Sequence, residues 1–308
     1  MNMEQLVEMS KNPKEIDAQE LMTQMASMVD IPEKSGKKYC IKHEIIKKGE
    51  PVTVISMRNS IMMGYRPVTA RFDTDLKIHK LCTKKDKRTL MSDHPQEIFL
   101  SKEGITLAMG KVLIGGLGLG YAIDKIADDP TVDKVDVVEI EKDIIDLVKP
   151  HLHFKKINVI HADIFKYLAT TKKKYNYIFL DTWYRSNENE YWENVFPLRR
   201  LAAKLVEPLD IFCWMETEML AQVKSSLYHI LMGAMKPWNL MLDAVYMAII
   251  ARGICSNDIG NPKEAIEKFF KNIGTKEWED EWKFQYHLDT AKKGKKYVKD
   301  TISSRRSK

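Results

Sequence analysis

The sequence predicts an α/β fold: a doubly wound, mostly parallel sheet, preceded by a small N-terminal β-rich subdomain and followed by a helical C-terminal part. Three observations carry that prediction. From residue 111 to 215, short apolar strands alternate with helix-length segments, the pattern of parallel strands joined by crossover helices. A glycine-rich turn, Gly116-Leu-Gly118-Leu-Gly120, links the first strand to the first helix. Acidic residues stand at the ends of the next three strands, Glu139, Asp163 and Asp181.

In chain order, Ala18, Leu21, Met22, Met25, Met28 and Val29 recur at helical spacing after Pro13, so residues 14–29 read as an amphipathic helix. From Lys38 to about Leu90 the pattern becomes short apolar runs, Cys40–Ile46, Val52–Met57, Ile61–Tyr65, Val68–Phe72 and Ile78–Cys82, separated by turn residues; this reads as a small antiparallel sheet. Ser92-Asp93-His94-Pro95 offers a cap and a first-turn proline for a helix to about Met109.

The alternating region then runs through strands Lys111–Ile114, Lys134–Glu139, Asn158–His161, Tyr175–Leu180 and Asp210–Met215. Helices lie between them, among them Lys142–Val148, Ile164–Leu168 and one containing Val195 to Leu205. Beyond Glu216 the pattern is mainly helical, through Leu220–Met235, Asp243–Ile250 and Lys263–Ile273. The expected organisation is 1–90 for the N-terminal helix and β subdomain, 91–217 for the α/β domain, 218–290 for its helical extension, and 291–308 for a basic, flexible tail.

Composition narrows the classes of function. The 308 residues are 44% hydrophobic and 30% charged, enough to bury a core and too mixed for a disordered chain. No stretch reaches the roughly 18 uncharged residues of a membrane span, and the N-terminus lacks a signal peptide's apolar core. A cytoplasmic protein without membrane contact is the expectation. Cys40, Cys82, Cys213 and Cys255 are scattered, which argues for buried thiols and against a disulfide framework or a structural metal site. The net charge of +6 is all in the tail: Ala291–Lys308 carries +7 and the rest −1. Such a run reads as a solvated terminus or, in the alternative, as an arm for nucleic acid.

The glycine loop is where the chemistry begins. Glycines at 116, 118 and 120 let backbone N–H groups approach a ligand at the positive end of a helix, a cradle for a nucleotide or nucleoside, although tight turns also need glycine. Glu139, at the end of the next strand, can accept both hydroxyl protons of a ribose, or can simply end its strand. Asp163 can accept from an exocyclic adenine amine and can equally cap the following helix. Asp181 is followed by Trp183, Tyr184, Tyr191 and Trp192, an acid and aromatic group where open α/β sheets place substrates. The spacing GxGxG departs from the GxGxxG of dinucleotide enzymes, because Tyr121 stands where the third glycine belongs, and no GK[ST] follows to make a P-loop.

With LIGGLGLGY, VDVVEIE, HADIF and YIFLDTW in order, the stretch from Met91 to Thr217 resembles the class I S-adenosylmethionine-dependent methyltransferases, in the branch shared with spermidine synthases. The resemblance implies a Rossmann-like methyltransferase fold with S-adenosylmethionine as cofactor, or decarboxylated S-adenosylmethionine in the aminopropyltransferase alternative. It places Gly116, Gly118 and Gly120 at the methionine and ribose part of the cofactor, Glu139 at the ribose, Asp163 at the adenine, and Asp181 at the transfer site. LMSDHPQEIFLSKEG, just before the glycine loop, resembles the spermidine-synthase arrangement of an N-terminal β subdomain leading through a helix into the cofactor domain.

Two departures favour methyl over aminopropyl transfer. Spermidine synthases carry an Asp inside the glycine loop, where this chain has Gly118, and a second Asp shortly after the fourth strand, where this chain reads Asp181-Thr-Trp-Tyr-Arg-Ser. A further departure, Ile114 in place of an acid often found before the first glycine, removes an indirect support for the cofactor's amino group. Methyl transfer chiefly requires alignment of an acceptor lone pair with the methyl–sulfur bond and exclusion of water. Asp181 and Tyr184 are the expected catalytic residues, Asp181 orienting or deprotonating the acceptor, with Trp183, Tyr184 and His94 lining the substrate pocket. The alternatives are aminopropyl transfer or other sulfonium chemistry, and, from another class, a nonenzymatic binding module that uses the tail or the Met-rich helix for assembly as an oligomer. The acceptor stays open between small molecule, protein and nucleic acid.

Overall fold

In the computed structural model of the protein, the described residues are 14–15, 29–55, 68–207 and 210–231. The expected helix beyond Glu15, the run Ile61–Tyr65, the helices Asp243–Ile250 and Lys263–Ile273, Cys255 and the basic tail lie outside them. Two compact units divide the chain at Met219/Leu220. Of the second unit, the described residues are Leu220–Leu231, which are helical.

Among the described residues, twelve strands form three sheets. Strands β1 (Lys14–Glu15), β4 (Pro51–Ile55) and β5 (Val68–Arg71) make a three-stranded sheet in the order β1-β5-β4. Here the structure corrects the helical reading of residues 14–29 at its start: Lys14 and Glu15 pair in parallel with Val68 and Thr69. The unpaired backbone edge of β5 requires hydrogen-bond partners, and that demand outweighs the local apolar spacing.

Strands β2 (Lys34–Ser35), β3 (Tyr39–Ile46), β6 (Leu76–Thr83) and β7 (Thr89–Ser92) form an antiparallel sheet in the order β2-β3-β6-β7, so the one small sheet expected from the sequence is divided in two, with β4 and β5 in the other. Helix α1 (Pro95–Thr106) follows. It ends before Met109 because Leu107 closes the last turn and the chain then reverses at Gly110, whose φ is +61°.

The third sheet has five strands, all parallel, in the order β10-β9-β8-β11-β12. These are β8 (Gly110–Gly115), β9 (Val132–Glu139), β10 (Ile157–His161), β11 (Tyr177–Leu180) and β12 (Ile211–Cys213). Between them run α2 (Tyr121–Asp128), α3 (Lys142–Val148), α4 (Ile164–Thr170) and α5 (Phe196–Ala202), and α6 (Glu216–Leu231) follows β12. The strand order starts in the middle and reverses beside β8, so the switch point of the sheet lies between the carboxyl ends of β8 and β11. This is the Rossmann-like architecture that the alternating pattern predicts.

Central strands buried on both faces are near-continuous apolar runs, and Val112, Leu113 and Ile114 of β8 are almost wholly excluded from solvent. Ile41 and Leu81 of the antiparallel sheet join the same core as Val112, Val135 and Phe179. Helix α1 bridges two cores: Ile98 packs with Val54, Phe72 and Ile78, whereas Ile105 packs with the main sheet. Asp143 fastens this joint, accepting N–H bonds from Lys37, Lys38 and Tyr39 at 2.8, 2.7 and 2.9 Å. Cys40, Cys82 and Cys213 are buried free thiols. No helix among the described residues is long and apolar enough to cross a membrane.

Candidate active site

The turn from β8 to α2 places all three glycines at positive φ, with +95° at Gly116 and +52° at Gly118. At Gly116 a side chain would run into the carbonyl oxygen of Asp181, so glycine here lets the ends of β8 and β11 approach closely. At Gly118 a Cβ would lie 2.5 Å from Sδ of Met91. Gly120 caps α2 from the left-handed region.

Opposite the loop, Glu139 is 7% exposed. Its Oε2 accepts from the Leu117 N–H at 2.9 Å and its Oε1 from the Glu141 N–H at 2.8 Å. The carboxylate therefore points into the crevice and braces the glycine loop from the neighbouring strand. Each oxygen retains a lone pair. Asp163 caps α4 through Oδ1 alone, which accepts from Phe165 N–H at 2.8 Å and Lys166 N–H at 3.4 Å. The cap reading holds, and Oδ2 has no partner among the described residues.

These residues line one cavity of about 380 Å³, within the range of small-molecule sites. The six carboxyl side chains in its wall belong to Asp93, Glu97, Glu139, Glu141, Asp163 and Asp181, and no Lys, Arg or His lines it among the described residues. Four of the six have partners. Asp93 is bonded to His79, Glu139 and Asp163 to backbone N–H groups, and Glu141 to the Lys38 ammonium at 3.0 Å. Glu97 and Asp181 have none among the described residues. Burial, and after it the charge of Glu97, pushes Asp181 up to about 7. Burial pushes Glu97 to about 7 as well.

The aromatic residues divide. Trp183 is buried, donating its indole N–H to the Trp214 carbonyl at 3.2 Å while lining the cavity. Tyr184 is 63% exposed at the cavity mouth. Partial burial of its hydroxyl, and then the charges of Glu139 and Glu141, raise that group above the ordinary tyrosine value. Tyr191 and Trp192 pack edge to face at 5.1 Å in a π-helical turn (Tyr191–Val195), away from the cavity wall. His94 is not among the lining residues; its Nδ1 accepts from the Gln96 N–H at 3.3 Å and caps α1. Burial holds that imidazole below its ordinary range. Sequence reasoning missed Glu97, Met91 and Asn194 of the wall. Glu97 is an acid in the first turn of α1, a role that exposed helix ends also use.

Fold and site together define a Rossmann-like α/β protein with a glycine-loop crevice at the switch point of its sheet. Within that class the chain belongs to the spermine/spermidine synthase domain family, whose model matches residues 102–258, just over half of its length. Among solved structures, spermidine synthase from Thermotoga maritima matches at 15% identity, covering 42% of this chain and 49% of that one with a TM-score of 0.31. The N-methyltransferase NodS from Bradyrhizobium japonicum WM9 matches at 16% identity over 37% of this chain and 64% of that one, with a TM-score of 0.30. The match thus spans about half the length of the former and under two thirds of the latter. No curated protein matches.

Proposed function

We propose that the cavity takes S-adenosylmethionine and that the protein transfers its methyl group to a small nucleophilic acceptor beside Asp181. The observation that carries this reading is the wall itself: a glycine cradle with six carboxyl groups and, among the described residues, no basic side chain fits a ligand that carries positive charge. When bound, the sulfonium supplies an electrophilic methyl carbon, so no metal or covalent intermediate is required of the protein.

The residues divide the work. The N–H groups of the Gly116–Gly120 loop that are not spent on Val138, Glu139 and Leu117 meet the methionine and ribose part, the free lone pairs of Glu139 accept from the ribose hydroxyls, and Oδ2 of Asp163 accepts from the adenine amine. Asp181 orients the acceptor and takes its proton, a role that suits a carboxyl titrating near neutral pH. Trp183 offers an aromatic face to the cationic centre, and Tyr184 flanks the mouth with a hydroxyl that stays a donor. An acceptor that carries phosphates, nucleic acid included, would meet a repulsive wall at this point.

Aminopropyl transfer from decarboxylated S-adenosylmethionine is the second reading. It is favoured by the absence, among the described residues, of a basic lining residue to meet a cofactor carboxylate, and disfavoured by Met91, which fills the space a side chain at position 118 would need. Calorimetry of the full chain with both donors, followed by product analysis with a panel of small amines, separates the two. S-adenosylhomocysteine as product supports methyl transfer and methylthioadenosine supports aminopropyl transfer. Failure to bind either donor points instead to a nonenzymatic module.

A further inference from the structure

The antiparallel sheet brings one face of β6 and β7 to the glycine loop. Leu81 pairs with Met91 and Lys80 with Ser92, and the register continues past the strand to His79 and Asp93, where the Asp93 N–H donates to the His79 carbonyl at 3.2 Å. Alternate residues share a face, so His79, Leu81, Met91 and Asp93 lie on one side of the sheet. Leu81, Met91 and Asp93 line the cavity. Met91 meets the loop itself, since a Cβ at Gly118 would lie 2.5 Å from its Sδ. Asp93 stands one step further along the same face, about 7 Å from Met91 along the chain.

Resting on the reading that the cavity takes S-adenosylmethionine, we propose that Asp93 binds the ammonium group of that donor and that His79 is the positioning residue that holds Asp93 for it. The amino-acid end of the donor lies at the glycine loop and carries a positive charge that the loop cannot meet, because residues 114–120 are only Ile, Gly and Leu. The other acids of the wall are occupied or less suited. Glu139 and Asp163 serve the ribose and adenine, Asp181 faces the acceptor, and Glu141 is paired with the Lys38 ammonium at 3.0 Å. Burial pushes Glu97 to about 7, so it is only partly ionised at neutral pH.

Asp93, in contrast, is fixed before any ligand arrives. Its Oδ1 accepts from the His79 backbone N–H at 2.6 Å, and its Oδ2 lies 2.5 Å from Nδ1 of the same residue. Each oxygen keeps a lone pair for a further donor. Behind it, Nε2 of His79 reaches Asp30 at 3.2 Å, and His43 packs against the ring edge to face at 4.8 Å, which leaves the imidazole little freedom to turn. Burial and the Lys77 charge oppose a proton on that ring, but Asp93 and Asp30 outweigh them, so a charged donor stands on each side of the imidazole. A carboxylate held this way binds an ammonium without first losing side-chain freedom. The unspent N–H groups of the glycine loop take the carboxylate of the same amino-acid end.

Calorimetry of the full chain with two ligands that share the adenosyl part reads this directly: S-adenosylhomocysteine carries the ammonium and methylthioadenosine does not. Asp93→Asn should weaken S-adenosylhomocysteine by about tenfold or more, the scale of a lost hydrogen bond to a charged group, and methylthioadenosine by less than about twofold. Equal losses for both ligands, or no loss for S-adenosylhomocysteine, overturn the proposal. His79→Gln should move the ratio of the two affinities in the same direction, a readout that a merely structural role would leave in place; an unmoved ratio removes His79 from the assignment. Should Asp93→Asn not fold, a crystal structure of the parent chain with S-adenosylhomocysteine decides. An ammonium within hydrogen-bond distance of an Asp93 oxygen supports the assignment, and one held by any other group overturns it. A parent chain that binds neither ligand sinks the donor reading itself, a result distinct from a changed ratio.

Discussion

The imidazole Nδ1 of His79 lies 2.5 Å from Oδ2 of Asp93, and both residues are almost completely excluded from solvent. The His79 backbone N–H donates to Oδ1 of the same carboxylate at 2.6 Å, and the Asp93 N–H returns a bond to the His79 carbonyl at 3.2 Å. On its far side the ring reaches Asp30 through Nε2 at 3.2 Å. This cluster ties β6 to the turn that opens α1, the segment whose Asp93 and Glu97 form part of the cavity wall.

Replacing His79 with Ala is expected to cost about 3–5 kcal/mol, because it strands a buried carboxylate without its partner. Chemical denaturation of the two chains checks the value. The sign of the pH dependence follows from the ring. Burial opposes its charge, but the hydrogen bond and charge of Asp93 and the bond to Asp30 outweigh burial and raise it above the ordinary histidine range. Its contribution is therefore complete below about pH 6.5, and fades as pH rises through the raised folded value. His79→Gln removes that alkaline slope; an identical slope in both chains would contradict the assignment.

Asp143→Ala is expected to loosen the β2–β3 turn by about 2 kcal/mol, the scale of hydrogen bonds to a charged group. Although burial works against ionisation, the three N–H bonds from Lys37, Tyr39 and Lys38 prevail and hold the carboxyl below its ordinary range. The contribution is thus present above about pH 4, and lost as pH falls through the lower folded value. Acid denaturation monitored by circular dichroism should begin at a higher pH in the parent relative to its own neutral stability, and the difference between the two chains should vanish at the acid end.

The parallel sheet, the glycine loop and the acids at 139, 163 and 181 were legible in the sequence because each is a local signal: an apolar run, a glycine where the backbone turns left-handed, an acid where a strand stops. The His79–Asp93 pair and the Asp143 cradle were not, because each joins residues that only tertiary packing brings together. Lys14 and Glu15 show the opposite failure. Their neighbours have helical apolar spacing, but an open strand edge elsewhere in the chain decides their conformation. The chemistry of His94 suits a pocket, but its ring nitrogen is spent as a cap.

Gly116→Ala is expected to destabilise the protein by about 1–3 kcal/mol, since it forces an L side chain to a φ of +95° and against the Asp181 carbonyl. The methyl group would also push β8 from β11 at the crevice, so donor affinity in calorimetry should fall at least as steeply as stability. A variant that binds S-adenosylmethionine as tightly as the parent would show that the cradle does not hold the ligand.

Asp181→Asn should separate stability from transfer. A carboxyl raised from 3.8 to about 7 binds its proton more tightly in the folded protein than in the unfolded chain. Its contribution is complete below the ordinary value and is lost as pH rises through about 7, where a desolvated charge near Glu97 must be carried. The amide never ionises. The variant should therefore melt at a temperature close to the parent's at pH 5 and several degrees above it at pH 8.5, while methyl transfer to any acceptor that the parent uses falls by 10²-fold or more, about the contribution of a positioned base. Scanning calorimetry at the two pH values decides the first half and product analysis the second. Equal melting at pH 8.5 would mean that Asp181 is ionised at no cost, and with that the case for it as the proton acceptor would fail.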